Sequence, residues 1–283
     1  MNARWAAVRL GLRRGWIEFK QNYTNADSLV PSLVIGVGFL AVMLLTRTTT
    51  VPGTHFSLGT TMLTGILGMS VGVSGLGTMG AQLAIEREDG TLLRAKAIPN
   101  GMTGYLVGKI FAISLNTLIG VALTLIPGPF LFKGLAFDSA TAWLTLIWVL
   151  VLGLVATLPI GAILGSLLPS ARSAGLITLG AGAIVAISGI FYPITHLPYL
   201  LQWVGQVFPV YWLGLGMRSA LLPASLAAVE IGHSWRHLET FGVLLAWAIV
   251  GLAVAPVLLR RMARREAGSS VAARREKALL RVG

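Results

Sequence analysis

Six long apolar runs, at roughly 29–46, 60–84, 105–127, 142–166, 174–192 and 240–259, alternate with shorter stretches that hold nearly all the charge. Each run is close to the ~20 residues a helix needs to cross ~30 Å of hydrocarbon. The runs are apolar on every side and lack the period-two alternation of a barrel strand. An open sheet would leave backbone groups unpaired in lipid, so helices are expected. The predicted fold class is an all-α polytopic membrane protein with six transmembrane helices. Composition agrees: of 283 residues, 55% are hydrophobic and 11% charged. Mean hydropathy is +0.79, beyond what a soluble domain of this length buries.

The net charge of +12 then has to lie outside the hydrocarbon. Eighteen of the 22 Lys and Arg fall on one side of the six predicted spans and four on the other. The N-terminal segment holds five and the residues after 259 hold eight. The positive-inside rule places both termini in the cytoplasm. The same count argues against a seventh span at 199–217, which would export one basic terminus. That stretch is expected to dip into the membrane and return, with Pro209 breaking any continuous helix. Arg outnumbers Lys 17 to 5, which suggests a GC-rich bacterial genome and a bacterial cytoplasmic membrane. No cleavable signal is visible, and the absence of cysteine removes disulfide and thiolate chemistry.

Three domains follow from this layout. Residues 1–27 form a cytoplasmic interfacial helix, with Trp5, Val8, Leu12, Trp16 and Phe19 on one face; a disordered basic leader is the alternative. Residues 28–259 form the six-helix transmembrane domain, and 260–283 a basic cytoplasmic tail on anionic lipid. A juxtamembrane position explains the tail without nucleic acid. The second span is glycine-rich, and Gly68, Gly72 and Gly75 are expected to let helix backbones approach. Gly104 and Gly108, and Gly161 and Gly165, repeat the four-residue spacing. The long loop 193–239 carries only Arg218 as a charge between Ile194 and Pro223. It also holds Tyr199, Trp203, Phe208, Tyr211 and Trp212, and reads as outer re-entrant half-helices between spans five and six.

The chain offers little chemistry of its own. Gly104–Ile110 is the nearest approach to a P-loop, but it lacks one intervening residue, the Mg²⁺-holding Ser or Thr and a preceding strand. This stretch is therefore not expected to bind ATP or Mg²⁺, and no enzyme, cofactor or metal set is expected in this chain. Gly68-Met69-Ser70-Val71-Gly72 and Gly72-Val73-Ser74-Gly75 suit an intramembrane serine protease. That chemistry needs a base in reach, yet all four histidines fall in predicted external loops. An ion-coupled secondary transporter would place an ionisable group deep in a span. Lys109 is the one clear charge in a span, close enough to its end to snorkel.

The sharpest local feature is the cytoplasmic loop 85–103. Glu86, Arg87, Glu88 and Asp89 form a charged cluster, Gly90 breaks the helix, Thr91 and Leu92 open an amphipathic turn, and Pro99 stops it. A docking helix and a solvated connector are equally compatible with that order. The Glu86-Arg87-Glu88-x-Gly90-Thr91-Leu92 pattern, Pro99 and the Gly108-Lys109 pair resemble the type-2 exporter permeases of the ATP-binding-cassette class. A second block agrees: Ser188-Gly189-Ile190-Phe191-Tyr192-Pro193, then Leu197-Pro198, Phe208-Pro209-Val210-Tyr211-Trp212 and Arg218. Leu93 departs from the acidic residue many members carry.

The resemblance implies a permease subunit that pairs with a second permease copy or paralogue and with separate ATP-binding-cassette ATPase subunits. Glu86, Arg87, Glu88, Asp89, Gly90, Thr91, Leu92 and Pro99 would couple to the ATPase. Phe191, Tyr192, Pro193, Phe208, Pro209 and Tyr211 would form an outer gate, with interfacial packing as the alternative. The apolar interior suits a hydrophobic or amphipathic cargo, a drug or lipid, as in the daunorubicin-resistance-like permeases.

Overall fold

The computed structural model describes residues 3–51, 56–168 and 170–265. Helix dominates them, and the only strand-like pairing among the described residues is one antiparallel bridge between Thr50 and Ser57. In chain order the helices are α1 (Ala3–Thr24), α2 (Ala26–Leu45), α3 (Leu58–Gly72), α4 (Met79–Glu88), α5 (Thr91–Lys96) and α6 (Gly101–Leu125). There follow α7 (Gly128–Leu131), α8 (Ala140–Leu167), α9 (Ala171–Ala186), α10 (Tyr199–Val207), α11 (Pro209–Leu221) and α12 (His237–Arg265). A π-helical stretch, Val73–Thr78, joins α3 to α4 without interruption.

Four stretches are long and apolar enough to cross a bilayer: Leu58–Glu88, Gly101–Leu131, Ala140–Leu167 and His237–Arg264. Helices α1 and α2, bent by 69° where they meet, make a fifth when counted as one span. Helix α9, with 16 residues, is shorter. The predicted run 174–192 stops six residues early, because the chain turns through Gly189 at φ 61°. The Ser188 hydroxyl donates to the Ile184 carbonyl and the Tyr192 hydroxyl to the Ala186 carbonyl. Side chains thus satisfy acceptors that a terminating helix leaves open. The basic tail expected over 260–283 begins as a continuation of α12, and its residues 266–283 lie outside the described residues.

Helices meet through glycine, because lipid supplies no hydrophobic force to push apolar surfaces together. A Cβ added to Gly68 would sit 2.6 Å from the Gly214 amide nitrogen, and one on Gly72 2.9 Å from the Val210 side chain. Gly75, in the π-helical stretch, faces Thr157 of α8. Gly80 faces the backbone of Gly161, and Gly165 that of Gly80. The surprise is α11. It is buried almost throughout, packed against α3, α8 and α12 in the middle of the bundle. Leu213, Leu215 and Met217 join Leu67, Val71, Val149 and Leu244 in one cluster. Helix α10 is the exposed member of the pair, with Tyr199, Leu200 and Trp203 at the surface. The break between them falls at Phe208, which is extended, and Pro209, the first residue of α11.

Helix α11 also carries a buried charge. Arg218 Nε donates to Glu230 Oε1 at 2.6 Å, with the two side chains 6% and 5% exposed. Arg218 Nη1 donates to the Gly189 carbonyl at 3.2 Å. One guanidinium thus ties α11 to the turn after α9 and to the loop before α12. Glu230, in the loop before α12, is buried as the counter-ion of Arg218.

Two substitutions test this packing. Gly68→Val should lower the thermal unfolding midpoint of the detergent-solubilised chain, at a cost of about 1–3 kcal/mol, since the backbone it strikes cannot swing aside. Glu230→Leu should cost about 3–5 kcal/mol by leaving Arg218 buried without its counter-ion. Adding Arg218→Leu should recover most of that loss. A double variant no more stable than Glu230→Leu alone would show that the two charges are not coupled.

Candidate functional site

The loop between α4 and α6 folds into an elbow whose shape follows from its turn residues. Helix α4 ends as Gly90 enters the left-handed region at φ 82°, which glycine adopts at little cost. The Asp89 carboxylate accepts from the Thr91 amide at 2.8 Å and opens α5. Leu92 and Ala95 face inward and join the buried cluster that includes Leu259 and Met262 of α12. Beyond α5 the chain turns through exposed Ile98 and Pro99, and Asn100, at φ 54°, precedes the first turn of α6. The elbow therefore has a buried inner face and an exposed outer face, where Ile98 is 62% exposed.

The charges at its foot divide between these two faces. Glu86 points inward: its Oε1 accepts from Lys109 Nζ at 2.5 Å, and its Oε2 accepts the Tyr105 hydroxyl. Lys109 also pairs with Glu18 of α1. Arg87 reaches the other way and donates to the Ser166 carbonyl, near the end of α8, at 2.6 Å. Asp89 lies on the exposed face and Glu88 is half-buried. Lys109, expected to snorkel out of its span, is instead 1% exposed and held between two carboxylates from different helices.

That arrangement depends on how α1 sits. It runs alongside α6 in parallel register, with Gly11 against Gly104 and Gly15 against Gly108. A Cβ on Gly108 would approach the Gly11 carbonyl oxygen to 2.6 Å, and one on Gly104 the Ala7 oxygen to 2.9 Å. The buried face is Ala7, Gly11, Gly15 and Phe19. Of the predicted apolar stripe only Phe19 is buried, while Trp5, Leu12 and Trp16 are exposed. Arg14 stacks over the Tyr105 ring at 5.0 Å.

The second predicted site lies around the turn after α9. Tyr192 and Pro193 line a small cavity with Gly189, Arg218, Glu230 and Trp235. Phe191 stacks on Phe39 of α2 with ring centroids 6.1 Å apart. Phe208, Pro209 and Tyr211 stand at the start of α11 and do not line that cavity. Tyr211 is fully buried and meets Trp212 edge-on at 5.1 Å. Of the six residues, Tyr192 and Pro193 line the cavity and the other four do not. Among the described residues, Ser70, the central serine of the protease-like motif, spends its hydroxyl on the Leu67 carbonyl at 2.8 Å.

Sequence reasoning missed Glu18, Tyr105 and Glu230 as functional candidates. One signal was present: Ala7, Gly11 and Gly15 repeat the small-residue spacing of Gly104 and Gly108, with Glu18 three residues after Gly15 and Lys109 directly after Gly108. Two matching small-residue stripes mark a helix pair in lipid.

No individual curated protein matches the chain. The family model described as ABC-2 family transporter protein matches residues 46–256, from the end of α2 to Pro256 in α12, and spans both the elbow and the buried α11. With its apolar spanning helices and no ATPase role in that family, the chain belongs to the ABC-2 transporter family as a multi-pass membrane transport subunit.

Proposed function

We propose that this chain is the permease of an ATP-binding-cassette exporter that moves a hydrophobic or amphipathic cargo, a drug or lipid, out of a bacterial cytoplasm. It crosses the membrane six times with both termini inside, paired with a second permease and driven by separate ATPase subunits. The observation that carries this reading is the elbow: a short helix, anchored by Leu92 and Ala95, that presents Ile98, Pro99 and Asp89 outward within a family of transport subunits. In this reading ATP closes the ATPase dimer, the elbow is pressed, and α4 and α6 move with it. A coupling of about 1–3 kcal/mol between two packings suffices for such a device.

The polarity is supported by charge, since eighteen of 22 basic residues fall on the elbow's side of six crossings. An apolar cargo suits the interior, because the buried charges lie at the elbow and beside the turn after α9 and are already engaged in ion pairs within the chain. The cavity at Tyr192 and Pro193 supports an outer gate there. The likeness to daunorubicin-resistance permeases is the working guide to cargo.

The test is charge reversal on the elbow. Glu88→Lys with Asp89→Lys should leave membrane insertion intact while cargo-stimulated ATP hydrolysis by the partner subunit is lost. Full stimulation in that variant would refute the elbow as the seat of the ATPase.

A further inference from the structure

Glu18, Lys109 and Glu86 come from α1, α6 and α4, at positions 91 and 23 residues apart from the lysine. A lysine this close to the end of a helix has open water within reach of its stem. Here it gives up that water, is 1% exposed, and spends its ammonium on two carboxylates. Burying an ammonium is costly unless each donor finds a charged or hydrogen-bonding acceptor. The Tyr105 hydroxyl satisfies the second oxygen of Glu86, and Arg14 lies over the same ring. Two carboxylates that would repel each other are thus held together by a single cation.

The consequence is mechanical. Glu86 stands three residues before Asp89, at the foot of the elbow. Whatever holds Glu86 sets the angle at which α4 delivers the elbow. Whatever holds Glu18 sets whether α1 follows. The glycine contacts between α1 and α6 are close but small, and glycine removes side-chain interlocking as it permits approach. The charge triad is therefore what fixes the register of α1 along α6.

We propose that Lys109 is the positioning residue of the elbow: shared by Glu18 and Glu86, it fastens α1, the foot of α4 and the start of α6 into one rigid body. This deepens the proposed coupling role and rests on it. Pressure on the elbow then moves α1 along with α4 and α6, so an N-terminal helix lying almost wholly outside the family match becomes part of the moving unit. Lys109 acts through Glu86 and touches no cargo.

The chain has no cysteine, so two introduced thiols are the only ones present. Spin labels at exposed Arg13→Cys on α1 and Ile98→Cys on the elbow, in the full chain in lipid nanodiscs, read their separation directly. The otherwise unchanged chain should give one narrow distance distribution. Lys109→Met and Glu18→Gln should each lose it, and the triple exchange Lys109→Glu, Glu18→Lys, Glu86→Lys should restore it. A merely stabilising ion pair would lower the unfolding midpoint without broadening the distance. Narrow distributions in both single variants overturn the proposal, and Glu18→Gln, which leaves Lys109 paired with Glu86, decides the matter if Lys109→Met fails to fold. In the unlabelled complex with its ATPase, Glu18→Gln should retain ATPase binding and lose cargo-stimulated hydrolysis. Should the wild-type chain stimulate no ATPase while the label results hold, the coupling reading fails and the triad stands.

Discussion

Close backbone approach is the constraint on which the rest of this molecule depends. In water, apolar faces associate because burying them is favourable; in hydrocarbon that drive is gone, and dispersion at short range has to replace it. Glycine supplies the short range. Gly68 brings α3 onto α11, Gly75 and Gly80 bring the π-helical stretch and α4 onto α8, and Gly104 and Gly108 bring α6 onto α1. Contacts of this kind are permissive in rotation and sliding, because they lack interlocking side chains. Something else has to select one register, and at both ends of the bundle that something is charge.

The two charge clusters solve this problem differently. Arg218 and Glu230 form a closed pair, each nearly sealed from solvent, and the pair binds a helix to the turn and loop that flank it in sequence. Lys109 is shared between two carboxylates from distant parts of the chain, so its cluster has more acid than base. A closed pair stabilises one geometry. A shared cation couples two neighbours, because movement of either carboxylate changes the balance felt by the other. The shared arrangement sits at the elbow.

The positions of the helices were legible in the sequence, and their contacts were not. Runs such as 142–166 announce helix α8 to within two residues at each end, because length and hydropathy are set by lipid thickness. The same apolar composition hides which face meets lipid and which meets protein. Residues 209–221 therefore read as part of a re-entrant pair, and nothing in their composition showed that α11 is buried almost throughout. The elbow was legible as punctuation, since Gly90 and Pro99 mark its turns whatever surrounds them. Its inward charges were not, because Glu86 and Arg87 resemble Glu88 and Asp89 until α1 and α8 are in place. Family membership, by contrast, rested on two spaced motif blocks and is confirmed by a match over residues 46–256.

The π-helical stretch gives the last step. It lies midway along the 31-residue span Leu58–Glu88, where α8 and α9 both press on it, and Gly75 and Gly77 remove the side chains that would keep them away. A π turn widens the helix and weakens its hydrogen-bond geometry, which makes it a common place for function to intervene. Below it, α4 is bound to the elbow and, through Glu86, to Lys109; above it, α3 is bound to α11 through Gly68. The span is therefore two anchored halves joined by a π-helical stretch. In the proposed coupling role, force arriving at the elbow would reach the charge triad first, then this stretch, then the buried helix whose Arg218 holds the turn beside Tyr192 and Pro193.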